Sequence, residues 1–116
     1  KGHNMNIIDA KSAPSAKNVH NIRASKIYDS EHATAVHITL EAGEKLKKHI
    51  TPVDVFFYVL EGEPTIEIGG EKLKIQTDHL VESPAKIPHC LYNETEKLAR
   101  ILVVKAPKPT TETRIL

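Results

Sequence analysis

From Ala33 onward the chain changes chemical character at every second residue, and that period decides what it can fold into. Ala33, Ala35, His37 and Thr39 alternate with Thr34, Val36, Ile38 and Leu40, the pattern of a strand with one apolar face. Thr65-Ile66-Glu67-Ile68 and Lys72-Leu73-Lys74-Ile75 repeat it with charges between the apolar residues, so one face is buried and the other wet. Gly69-Gly70 between those segments is a two-residue hairpin signal. Further strands are expected at 45–49, 55–60, 79–82, 89–92 and 99–105. The turn signals between them, Gly43, Pro52, Gly62, Ser83-Pro84, Ile87-Pro88 and Asn93, recur about every 8–12 residues with no helical period, which argues for an all-β sandwich or barrel.

The 116 residues fit one domain with one core. Residues 1–4 precede Met5 and read as a vector remnant, so His3 is set aside. Residues 5–32 read as a leader and edge strand packed on the barrel rim, 33–105 as the barrel, and 106–116 as an extended tail. Sixteen Lys and Arg stand against 15 Asp and Glu, interspersed, unlike the one-sided basic face of a nucleic-acid binder. The longest apolar run, Val55 to Leu60, is far short of the ~20 residues that cross a bilayer as a helix. No secretory signal is visible, and Cys90, the only cysteine, rules out an intrachain disulfide. A reducing compartment, the cytoplasm, is expected.

Two segments carry chemistry. One runs from Gly43 through His49, Thr51, Asp54 and Val55 to Gly62; the other runs from Asp78 through Pro84, Lys86 and His89 to Asn93. Their spacing resembles the two signature motifs of the cupin superfamily, in its small single-domain form. The resemblance spans roughly residues 33–105 and implies a double-stranded β-helix, a jelly-roll barrel of two facing antiparallel sheets, dimeric, with any metal ligands projecting into the lumen. The chain also departs from those motifs. Thr51 stands where the family has a second histidine, Val55 where it has a glutamate, and Asp78 and Lys86 where it has glycines. Of the four family ligands only His49 and His89 remain.

The expected pocket is therefore lined by His49, Thr51, Val55 and His89. Two imidazoles can bind Zn, Ni, Fe, Mn or Cu, but stable sites take three or four protein ligands. Asp54 is the candidate third ligand, although period two turns it away from the lumen if Val55 faces in; a bulge near Pro52 would bring it back. Glu82 is a more remote candidate. Three functions fit: a lumen that binds a small molecule, with or without a divalent metal; a metal-dependent dioxygenase or isomerase of a small polar metabolite, with His49 and His89 as ligands; and a metal-free acid–base catalyst with His49 as base. The partners expected are a small molecule and a second copy of the chain, not nucleic acid or membrane. His37 is expected to face away from the core, and His20, His32 and His79 to be ordinary surface residues. Tyr92 is read chiefly as packing, with the lumen mouth as the alternative, and Cys90 as a buried apolar residue pointing opposite to His89.

Overall fold

The computed structural model describes residues 4–111 and 113–116. Among the described residues ten strands follow one another: β1 Arg23–Asp29, β2 Thr34–Leu40, β3 Lys45–Ile50, β4 Val55–Glu61, β5 Thr65–Ile68, β6 Glu71–Lys74, β7 Leu80–Ser83, β8 His89–Tyr92, β9 Ala99–Lys105 and β10 Arg114–Ile115. They form two five-stranded sheets, β1-β2-β9-β4-β7 and β10-β3-β8-β5-β6, antiparallel at every pairing. No helix among the described residues is long and apolar enough to cross a membrane.

Side-chain alternation closes the sandwich. Ile38 and Leu40 on β2, Val55, Phe57 and Val59 on β4, and Ala99, Ile101 and Val103 on β9 are buried on the first sheet. Leu46 on β3, Ile66 on β5 and Leu91 on β8 meet them from the second. Burying a side chain of this size stabilises the fold by roughly 1.5–3 kcal/mol, and the core reaches the histidines, where Phe57 packs on His89.

One irregularity on β3 sets up the pocket. Leu46 pairs with Leu91 and His49 with His89, so three steps along β3 match two along β8. Strict alternation would send Leu46 and His49 to opposite faces. The extra residue at Lys47-Lys48 is a β-bulge that restores His49 to the inward face, and both side chains are buried.

Two sequence expectations are modified, and the turns at two family glycine positions are resolved. Part of the leader lies off the rim: Ser25 Oγ and Arg23 Nη2 each donate to the Ala13 carbonyl, at 3.0 and 2.7 Å. It thus lies across the outer face of β1 and β2. His37 faces away from the core as expected, yet it is only 1% exposed, and Arg100 Nε donates to its Nε2 at 3.0 Å. Lys86 and Asp78, at two family glycine positions, adopt φ of +67° and +68°, so the turns keep a left-handed conformation without glycine. Residues 1–3 of the expected vector remnant lie outside the described residues.

Candidate functional site

The histidine site is built from one register row on each sheet. On the first sheet Ser83, Val55, Lys105 and Thr34 pair in sequence across β7, β4, β9 and β2. On the second, Ile115, His49, His89 and Ile68 pair across β10, β3, β8 and β5. Both rows are on inward faces, so Ser83 and Lys105 look toward the histidine pair. Thr51, two residues beyond His49, is 1% exposed.

Hydrogen bonds fix the state of the two rings. His49 Nδ1 lies 2.6 Å from the Lys47 carbonyl, which can only accept, so Nδ1 carries the proton. Neutral His49 then offers Nε2 as an acceptor. His89 Nε2 lies 3.0 Å away and donates to it. His89 Nδ1 is left as an acceptor, and the Ser83 hydroxyl donates to it at 2.7 Å. Thr51 Oγ1, 3.3 Å from His89 Nε2, is a second acceptor for the same proton. The tautomers follow from the partners, and the result is a directed chain from Ser83 through His89 and His49 to a backbone carbonyl. Phe57 packs edge-on against His89, with ring centroids 5.2 Å apart.

Burial keeps the pair neutral. Desolvation, followed by the charges of His49 and Lys105, lowers the His89 pKa to about 3. Desolvation also pulls His49 down, partly opposed by its bond to Lys47. A third ring joins them: His20 lies 5.3 Å from His49 between centroids, and the Lys47 amide donates to its Nδ1 at 2.9 Å. Its pKa falls to about 4, chiefly through desolvation and then through His49. The bulged Lys47 peptide therefore serves both rings, its N–H binding His20 and its carbonyl His49.

His49, Thr51, Val55 and His89 are brought together on the lumen side; Asp54 and Glu82 are not. Asp54 is exposed, and its Oδ1 accepts from the Ala85 amide at 2.8 Å. Glu82, also exposed, pairs with Phe56 on the outer face. Both acids line a cleft of about 290 Å³ at the ends of β4, β7 and β9, with Val55, Phe56, Ser83, Pro84, Val104 and Ala106. The parity of β4 decides this: with Val55 inward, Asp54 is outward, and the bulge lies on β3. Among the described residues no three His, Cys, Asp or Glu side chains group to hold a metal. Two imidazoles that bond to each other, with only the Thr51 and Ser83 hydroxyls bonded to them, do not fit a resident Zn, Ni, Fe, Mn or Cu ion, which needs more strong protein donors.

Sequence reasoning missed Ser83, Lys105 and His20. Lys105 follows Ala99, Ile101 and Val103 at period two, and Ser83 follows Val81, so alternation held a signal for both. No local signal marks His20, whose placement depends on the leader crossing the bulge. Cys90 and Tyr92 point outward. The Cys90 thiol donates to the Tyr92 oxygen at 2.9 Å and the Tyr92 hydroxyl to Glu67 Oε1 at 2.8 Å, so Tyr92 packs outside the lumen. Burial pushes the Cys90 thiol up. His32 and His79 are exposed.

Two facing antiparallel sheets around an inward histidine pair define a double-stranded β-helix with a lumen site. The cupin domain model Cupin_2 matches residues 36–105, and the chain belongs to that family. It is similar to TT1209 from Thermus thermophilus, at 30% identity with a TM-score of 0.79, covering 90% of this chain and 100% of that one. It is also similar to the uncharacterized protein MJ0764 of Methanocaldococcus jannaschii, 28% identical over 85 residues, or 72% of this chain and 73% of that protein. The polyketide cyclase RemF from Streptomyces resistomycificus shares the fold, at 15% identity and a TM-score of 0.82, covering 97% of this chain and 85% of that one.

Proposed function

We propose that this cupin binds a small polar organic molecule in the barrel lumen against His49 and His89, and that the pair works through hydrogen bonds and not as half of a metal centre. The observation that carries this reading is the directed chain Ser83–His89–His49–Lys47. A buried polar row needs every donor and acceptor satisfied, and here two neutral rings satisfy each other while Thr51 adds a second acceptor. A ligand hydroxyl that replaces the His89–His49 bond meets one donor and one acceptor, accepting from His89 Nε2 and donating to His49 Nε2. RemF, a cyclase, uses the same barrel, but a shared fold does not choose a reaction.

The test combines metal analysis with binding. Protein purified without a metal-affinity column, together with His49→Ala and His89→Ala, is assayed for bound metal; small polar compounds are then screened by the ring resonances of His49 and His89. Trace metal in all three proteins, with ring shifts on ligand addition, is the expected outcome. Near-stoichiometric metal in the parent that disappears from both variants would restore the metal-dependent enzyme reading.

A further inference from the structure

The leader carries apolar residues that its own barrel does not cover. Met5 is 87% exposed, Ile7 80% and Ile8 49%. Single exposed apolar side chains are ordinary, but three within four residues make a patch. Asn4-Met5-Asn6-Ile7 also alternates polar and apolar residues, as an extended segment with one covered side does. The path of the leader shows where that side is aimed. The Ala13 carbonyl is held over β1 by Arg23 and Ser25, and the Ala10 backbone reaches His37 on β2. Followed toward its N-terminus, the leader thus crosses β1 and then β2, and β9 and β4 come next in the sheet. Their outer face presents Phe56, Tyr58, Leu102 and Val104, all half-buried, with the cleft of about 290 Å³ beside Phe56 and Val104. Met5 and Ile7 nevertheless stand clear of this face, so within one chain neither apolar surface covers the other.

We propose that residues 4–8 of one copy lie across the outer face of β4 and β9 of a second copy, and that the first copy's face receives the same segment in return. Such an exchange is isologous: each chain gives one arm and takes one, so the contact closes at two chains. The area agrees with a stable pair. The exposed parts of Met5, Ile7 and Ile8 come to roughly 400 Å² per copy, and two arms with the sheet they cover bury about 1,600 Å², the size of a standard specific interface. The exchange concerns assembly and is independent of what the lumen binds.

Two measurements test it. The dissociation constant of the pair is obtained by sedimentation for the parent and for the double variant Met5→Asp, Ile7→Asp. Both positions are exposed in the single chain, so the barrel is expected to fold unchanged while the pair dissociates at least about tenfold more readily. Separately prepared Ile7→Cys and Val104→Cys chains are then mixed under mild oxidation; Cys90, 1% exposed, stays out of the reaction. A disulfide from position 7 of one chain to position 104 of the other is expected. Ile7→Cys mixed with Leu73→Cys, an exposed position on the second sheet, is expected to give only background. A parent that sediments as a single chain, a pair equally tight in the double variant, or no excess of the 7–104 bridge over the Leu73→Cys control would each overturn the exchange. A chain carrying both Ile7→Cys and Val104→Cys that closes the bridge on itself in preference to a second chain would overturn it too, since the arm would then cover its own sheet.

Discussion

The lumen histidines are held neutral by their surroundings, and this has a direct consequence for stability. His89 takes its proton near pH 6.5 in an unfolded chain and near pH 3 in the folded one. Between those values the unfolded chain binds more protons, so stability rises with pH across the window. It is fully present above about pH 6.5 and is lost as the medium is acidified. From pH 7 to pH 4 the His89 contribution amounts to roughly 3 kcal/mol. Thermal unfolding followed over that range should show the melting temperature falling steadily, with a shallower fall in His89→Gln. A parent melting temperature independent of pH below 6.5 would contradict the neutral hydrogen-bonded pair. His37 adds to the same trend, since burial and then Arg100 lower it. At this scale the sequence was informative where motif spacing applied: His49, Thr51, Val55 and His89 could be named from it. Lys105 was hidden because a lysine at a strand end reads as solvated until its parity with Val103 is traced.

Strands and turns were more legible than side-chain roles. The segments 65–68, 89–92 and 99–105 fall where alternation put them, because period two on a half-buried sheet is a strong constraint. β1 and β10 were harder. β1 is an edge strand whose bulge between Lys26 and Tyr28 breaks the pattern, and β10 has two residues, bound only to β3. The turn at Lys86 tests what the family glycine contributes. Its amide donates to the Thr51 carbonyl at 2.9 Å, tying the approach to β8 to the lumen loop, and its φ of +67° is unfavourable for a side chain. Lys86→Gly should raise stability by about 0.5–1 kcal/mol, seen as a higher urea midpoint at unchanged slope. Lys86→Ala should show no such gain. Gly62 is the reverse case. With φ +80°, its Cβ would lie 2.4 Å from the Leu98 carbonyl oxygen, a clash between backbone elements that rotamer changes cannot relieve.

For the whole molecule, the outer face of the first sheet governs assembly. Phe56, Tyr58 and Leu60 on β4 and Leu102 and Val104 on β9 are half-buried there, and Leu80 at the β7 edge is 50% exposed. A contiguous apolar face of this kind marks an association surface, and we propose a homodimer across it. Light scattering should return twice the mass of one chain, and Phe56→Lys should shift the assembly toward one chain. A parent that scatters as a single chain at micromolar concentration would remove the proposal. The bulge at Lys47-Lys48 has a consequence of another kind, for lineage. Losing one codon there would leave every lumen residue encoded, yet it would turn the His49 imidazole to solvent and carry Thr51 with it. Relatives that differ by one residue between Leu46 and His49 therefore cannot be compared column by column: an insertion or deletion there exchanges the inside of the barrel for the outside, and two chains can share every lumen letter and no lumen.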